Sequence, residues 1–187
     1  MLDKPNVLAC HICALDLTKS FDRLSHKLLI EKMIRDNFSP FVINFVSNYL
    51  SNRTQRVKWN NELSRIVSAT SGVPQGSSFG PLLFAYFMSD FACDSFQNCL
   101  VVKYADDVTL CGVISNDTSD STLLKAYSSF VSRSAENKMI INENKSCQLF
   151  ITKQKSRDLN FSRFMLNNIC VKSDIKLLGV IFDDKLN

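Results

Sequence analysis

Val7 to Leu17 is a largely apolar run carrying Asp16 near its end, the pattern of a central β-strand that delivers a carboxylate at its tip. Leu28, Leu29, Lys32, Met33 and Ile34 then recur at helical spacing behind Ser25, a good N-cap residue. Ser39-Pro40 repeats the start signal, cap then proline at the first helical position, for a helix running to about Leu50. From Arg53 to Ser68 the pattern shifts to two strands around a turn at Asn60-Asn61. Gly72 to Gly80 is a glycine- and proline-punctuated loop, and Pro81 to about Phe91 an apolar helix. Leu100-Val101-Val102 and Val108-Thr109-Leu110-Cys111 flank Asp106-Asp107, which predicts a hairpin over roughly 100–113 with both aspartates at its tip. After a polar connection at Asp117–Ser121, Leu123, Leu124, Tyr127, Phe130 and Val131 mark an amphipathic helix. Short strands follow near Cys147–Thr152, Phe164–Leu166 and Lys176–Phe182. No linker, repeat or low-complexity segment interrupts this order, so it predicts one α+β domain.

Two adjacent carboxylates between apolar strands repel each other and become favourable when a divalent cation sits between them, because hard cations take oxygen ligands. Two-metal phosphoryl-transfer sites need carboxylates that bridge ions about 3.5–4 Å apart. Asp16, at the end of its own strand, is the natural third ligand beside Asp106 and Asp107.

Composition narrows the alternatives. At 187 residues, 45% hydrophobic and 21% charged, the chain is an ordinary globular sequence with room for a real core. Its longest strongly apolar stretch, Leu82–Met88, is far too short to span a bilayer, and no signal-peptide pattern opens it. A net charge of +4 mildly favours a polyanionic partner. Cys10 and Cys13 have CxxC spacing without a second ligand pair, so they and the other five cysteines (93, 99, 111, 147 and 170) read as core residues of a reducing compartment. His26 reads as a surface residue. Trp59 reads as packing or a stacking face, and Arg53, Arg56 and Lys58 as a solvated strand face or a phosphate contact.

Five segments, in order along the chain, carry a family resemblance. Ala14-Leu15-Asp16-Leu17-Thr18-Lys19-Ser20-Phe21-Asp22 resembles motif A of reverse transcriptases, Ser71-Gly72-Val73-Pro74-Gln75-Gly76-Ser77-Ser78-Phe79-Gly80-Pro81-Leu82-Leu83-Phe84 motif B, and Tyr104-Ala105-Asp106-Asp107 motif C. The spelling is that of non-LTR (LINE-type) retrotransposon polymerases. Asn142-Glu143-Asn144-Lys145-Ser146 resembles motif D, and Lys176-Leu177-Leu178-Gly179-Val180 motif E. The resemblance implies a polymerase palm, an antiparallel sheet with a catalytic hairpin packed on helices.

It also implies RNA-directed DNA polymerase activity, in which dNTPs are added to a DNA primer on an RNA template. Asp16 and Asp106 would hold two Mg²⁺ ions (Mn²⁺ as substitute), with Asp107 and the Leu17 carbonyl as further ligands. Phe21 would be the steric gate against a 2′-OH, and Gln75 and Gly76 would contact the nucleotide and template. Lys145 would protonate the leaving pyrophosphate, and Leu178-Gly179 would steady the primer end. Their bland counterparts are core packing for Phe21, a tight turn at Gly72–Gly76, a solvated lysine and an ordinary β-turn. The pattern begins at motif A and stops after motif E, so fingers and thumb are expected to be missing, with low or no activity for this fragment alone. The family further implies an intracellular, nuclear or cytoplasmic ribonucleoprotein with no membrane partner. A group II intron maturase and a degenerate, non-catalytic nucleic-acid-binding relic are the alternative readings.

Overall fold

The computed structural model describes residues 6–92, 99–115, 122–152 and 161–185. Cys93 and the polar connection at 117–121 lie outside them. In chain order the elements are β1 (Val7–Leu15), α1 (Ser20–Arg23), α2 (His26–Arg35), α3 (Pro40–Leu50), β2 (Thr54–Gln55), β3 (Lys58–Trp59), β4 (Glu62–Leu63), β5 (Val67–Ser68), α4 (Gly80–Phe87), β6 (Cys99–Tyr104), β7 (Asp107–Ser115), α5 (Thr122–Glu136), β8 (Cys147–Thr152), β9 (Cys170–Val171), β10 (Asp174–Leu177) and β11 (Val180–Asp183). They fall into two compact units. One collects Met1–Thr18, Asp90–Glu136 and Ile140–Asn187, the other Lys19–Ser89 and Asn137–Met139.

The first unit is a sheet of order β6-β7-β1-β8-β9, antiparallel except for the β8–β9 pair. As the apolar run predicts, β1 is its central strand, buried from Ala9 to Cys13. Alternate residues face opposite ways. Cys10 and Ile12 join Cys147, Leu149, Ile151 and Ile175 in one core, onto which the β10–β11 hairpin brings Leu177 and Phe182. Ala9 packs on the other side with Ile114, Phe150 and Phe164. The helix α5 approaches β7 so closely that a Cβ on Gly112 would lie 2.8 Å from that of Leu123. Cys10 and Cys13 therefore point to opposite faces and form no chelate; Cys10 Sγ instead lies 3.1 Å from Cys111 Sγ. Cys170 is exposed, against the core expectation.

Two of this unit's buried polar residues, His11 and Gln148, are bonded to each other. His11 stacks on Phe150 at 4.1 Å and donates from Nε2 to Gln148 Oε1 at 3.0 Å, while its Nδ1 is buried without a partner among the described residues. Burial pushes its imidazole down to about 4, despite the bond to Gln148. A base whose folded value lies below its free value contributes stability above the free value, and loses it as pH falls. Unfolding free energy measured by urea titration is therefore expected to drop by roughly 2 kcal/mol from this residue between pH 7 and 5.

Three strand expectations change. Phe164–Leu166 is not a strand: Ser162–Phe164 is a 3₁₀ turn, and the Gln148 side chain takes the backbone polar groups of Leu166. The strand that pairs there is Cys170–Val171. Lys176–Phe182 is a hairpin rather than one strand, broken at Leu178-Gly179 where φ is 48° and 90°. The Arg53–Ser68 pair exists but is divided into β2–β5 and β3–β4, with Asn60 at φ 52° in the turn.

The second unit holds α1 to α4. Ser25 and Ser39 cap α2 and α3, accepting from Leu28 and Val42 N–H, as the start signals predict. The predicted apolar helix ends at Phe87, and a 3₁₀ turn follows over Ser89–Ala92. Leu29 and Met33 of α2, Val46 and Leu50 of α3, and Leu83, Phe84 and Phe87 of α4 are buried. Lys32 is buried too; its Nζ donates to the Phe87 carbonyl at 2.6 Å and lies 4.3 Å over that ring. Among the described residues no helix is long and apolar enough to cross a membrane.

Candidate active site

The carboxylates are placed by strand register. β6 and β7 pair from Cys99–Gly112 to Tyr104–Asp107, so the two-residue turn is Ala105-Asp106, with Ala105 at φ 53°. Asp107 is thus the first residue of β7 rather than part of the tip. β1 pairs with β7 up to Leu15–Val108, and the next step of that register is Asp16 and Asp107. Burial, then Asp106, then Asp16, push the Asp107 carboxyl upward. The three carboxylates thus share one negative potential. Among the described residues no group of three or more His, Cys, Asp or Glu side chains is placed to hold a metal ion as it stands.

Beyond β1 the chain is held by the segment at Asn142–Ser146. Leu17 bridges Ile141, with Thr18 N–H donating to the Ile140 carbonyl at 2.8 Å and Asn142 N–H to that of Asp16 at 2.8 Å. Those bonds come from the neighbours of Leu17 and leave its own carbonyl outside the ladder. Asp16 N–H donates to Ser146 Oγ at 3.1 Å, and that hydroxyl donates to the Asn142 carbonyl at 2.8 Å. Buried Ser146 therefore fixes the backbone of the first aspartate. It stands inside the motif D resemblance, but nothing in the sequence pairs it with Asp16.

Asp16, Asp107 and Lys145 line one cleft of about 420 Å³, together with Tyr104, Leu177 and Leu178. Its floor is the apolar face of β1, β7 and β8, and the β10–β11 turn stands at its edge. Leu178 is 61% exposed there, in a left-handed conformation uncommon for a residue with a side chain. The first unit therefore brings together Asp16, Asp106, Asp107, Lys145 and the Leu178-Gly179 turn.

Phe21, Gln75 and Gly76 belong to the second unit. Phe21 is half-buried and stacks on Phe84 with centroids 4.1 Å apart and planes at 17°. Its carbonyl accepts from Val73 N–H at 3.0 Å, and Gly72 N–H donates to the Leu24 carbonyl at 2.8 Å. Ser71 Oγ donates to the Asp22 carbonyl at 2.9 Å, and Gln75 Nε2 to Asp22 Oδ1 at 3.2 Å. The loop at 71–76 is thus laced to Phe21–Leu24, leaving Gln75 and Gly76 exposed. His26 is not a plain surface residue: it is half-buried, with Nε2 2.6 Å from the Gly72 carbonyl. Phe79 fills the space beside α3, edge-on to Phe45 and Tyr49.

Gly72 is the tightest point of this lacing. Its φ is +81°, and a Cβ there would lie 2.8 Å from Asp22 Cα and 2.9 Å from the Phe21 carbonyl oxygen. Gly72→Ala meets backbone on both counts, so it is expected to cost about 2 kcal/mol or more and to displace Phe21. Urea unfolding of the variant measures the cost.

The sequence matches the family described as "Reverse transcriptase (RNA-dependent DNA polymerase)" over residues 3–182. It is 33% identical over 107 residues to the probable RNA-directed DNA polymerase from transposon BS of Drosophila melanogaster, covering 54% of this chain and 12% of that protein. It is 29% identical over 181 residues to the RNA-directed DNA polymerase from mobile element jockey of the same species, covering 92% of this chain and 19% of that protein. The chain therefore spans a minor part of these curated relatives. Among solved structures, apo telomerase from Candida tropicalis, truncated from its C-terminal domain, superposes with a TM-score of 0.65 at 16% identity, over 97% of this chain and 35% of that one. Telomerase from Candida albicans, in complex with the TWJ fragment of telomeric RNA, gives a TM-score of 0.64 at 15% identity, over 95% and 31%. At such identity the likeness shows a shared fold.

Proposed function

The chain belongs to the reverse transcriptase (RNA-dependent DNA polymerase) family, and we propose that it is of the LINE-type, non-LTR branch, in keeping with its transposon relatives, and forms the palm where dNTPs are added to a DNA 3′-OH on an RNA template. The observation that carries the proposal is the register that makes Asp16 and Asp107 the next pair beyond Leu15–Val108, beside the Ala105-Asp106 turn. Asp16 and Asp106 would hold two divalent cations, Mg²⁺ or Mn²⁺, with Asp107 and the Leu17 carbonyl as further oxygen ligands. An all-oxygen set under shared negative potential suits a hard cation. When bound, such ions supply Lewis-acid charge at the attacking and leaving oxygens.

The side chains do the rest. Lys145 stands in the same cleft, where an ammonium would give a proton to the leaving pyrophosphate as its bond to the α-phosphorus breaks and the 3′-oxygen, its own proton passed to solvent, bonds there instead. Leu178-Gly179, at the edge of that cleft, would bear on the primer end. Phe21, its ring held against Phe84, would exclude a 2′-OH, and the exposed Gln75-Gly76 would meet the nucleotide and template. RNA in a solved telomerase of the same fold supports nucleic acid as the partner class. Relatives from transposons favour the retrotransposon reading over an intron maturase. An intracellular ribonucleoprotein is the setting this reading implies.

The test is Mg²⁺- or Mn²⁺-dependent primer extension on an RNA template, by the chain within its extended reading frame. Extension with dNTPs and not rNTPs is the expected result. Metal-independent strand binding without extension would support the non-catalytic relic instead.

A further inference from the structure

The segment between α3 and the loop at 71–76 has no role in the site described above. Thr54 pairs with Ser68 and Gln55 with Val67, then Lys58 pairs with Leu63 and Trp59 with Glu62. Between the two pieces, Ser64 N–H donates to the Val57 carbonyl at 2.9 Å, and Val57 N–H to Ser64 Oγ at 2.8 Å. The result is one kinked hairpin in which every residue from Ser51 to Ser68 is exposed. It has no core of its own, although Trp59 is 77% exposed, Val57 67% and Ile66 63%. A two-stranded hairpin is marginal in water, so this much apolar surface on it calls for a partner.

Charge selects the kind of partner. The hairpin carries Arg53, Arg56, Lys58 and Arg65 against one carboxylate, Glu62. Arg53 serves the fold: its Nε donates to the Tyr49 carbonyl at 2.6 Å, and its guanidinium lies 4.4 Å over that ring. The side chains of Arg56, Lys58 and Arg65 make no hydrogen bond or ion pair with any described residue, although the backbones of Lys58 and Arg65 are bonded within the hairpin. Cations spaced around a bare indole match a polyanion whose repeating unit also offers a flat π-face. A duplex keeps its bases stacked away from such a ring; a single strand does not.

From these features we infer that the hairpin at 53–68 is a contact for single-stranded nucleic acid, with Trp59 stacking on a base and Arg56, Lys58 and Arg65 on phosphates. Only the identity of the strand, template or other, rests on the polymerase reading; the contact itself does not.

Trp59 is the only tryptophan in the chain, so its fluorescence reports this contact wherever else nucleic acid binds. The chain is titrated at low salt with a short single-stranded RNA, with DNA of the same sequence, and with the corresponding duplex. Saturable quenching by single strands of either sugar, and weaker quenching by duplex, is the expected result; the two single-stranded arms rank RNA against DNA. Replacing the three cations together (R56Q, K58Q, R65Q) should weaken binding at least about tenfold and reduce the log–log salt slope by about 2. Trp59→Ala, followed by anisotropy of labelled RNA, should weaken it by about tenfold. All four positions are exposed, so the variants keep the fold, which circular dichroism checks. Unchanged Trp59 emission at saturating RNA, or equal quenching by duplex, overturns the inference. So does a concentration-dependent blue shift without nucleic acid, which would seat a second copy on the hairpin. Quenching of the chain combined with no primer extension by its extended reading frame would sink the polymerase reading and leave this contact standing, and extension without quenching would do the reverse.

Discussion

Asp106→Asn is expected to reduce metal-dependent primer extension by about 10³-fold or more, the loss of roughly 4 kcal/mol of transition-state stabilisation. The substitution keeps the shape of the side chain and removes only its charge, and asparagine is at home in a two-residue turn. The backbone register from Cys99 to Gly112 holds the hairpin and is untouched by this substitution, so the melting curve should survive. Asp107→Asn gives the more discriminating result. Burial, Asp106 and Asp16 all raise the Asp107 carboxyl, and an acid whose folded value is raised costs stability once pH exceeds that value. Above it, the neutral amide should therefore raise the unfolding midpoint while extension falls. Divalent cation should raise the midpoint of the wild-type chain more than that of either variant, because it relieves the same repulsion. Thermal melts with and without Mg²⁺, beside extension assays, measure all of this. Extension unchanged in Asp106→Asn would overturn the assignment of the catalytic hairpin.

What the sequence discloses follows the range of the interactions involved. β1, α2, α3 and the hairpin at 99–115 are specified by local signals: an apolar run, a serine cap, a Ser-Pro start, a two-residue turn between β-formers. They stand where those signals put them. Position within a turn is finer than the signal, which is why Asp107 sits on β7 and not at the tip. The elements that differ are those whose backbone bonds go to distant side chains. Leu166 is turn rather than strand because Gln148, eighteen residues away, takes its N–H and shares its carbonyl. Ser146 and His26 act through backbone atoms of Asp16 and Gly72, 130 and 46 residues away, and no spacing rule reaches that far. Phe21 lies between these cases: the motif resemblance marks it, and only the structure gives its stack on Phe84.

Gln148 is where that hidden long-range bonding concentrates, and Gln148→Leu is expected to be the most destabilising single change in the chain. The side chain is fully buried and uses all four of its hydrogen-bonding capacities. Nε2 donates to the Leu166 carbonyl at 2.9 Å and the Ile169 carbonyl at 2.6 Å. Oε1 accepts from Leu166 N–H at 3.1 Å and from His11 Nε2 at 3.0 Å. Leucine fills most of the volume and answers none of these groups. The Leu166 carbonyl keeps a second donor, Ile169 N–H at 3.0 Å, so three polar groups are left buried and unpaired. At about 1–3 kcal/mol each, the loss is on the order of 5 kcal/mol, comparable with the whole stability of many domains. The damage also reaches the site, because Gln148 pairs in register with Cys13 on the strand that delivers Asp16. The double variant H11L/Q148L removes one orphan at its source, so a double-mutant cycle should show His11→Leu costing less in the Gln148→Leu background than alone. Urea unfolding of the four chains is the measurement, and a Gln148→Leu midpoint within about 1 kcal/mol of wild type would show that the network contributes little.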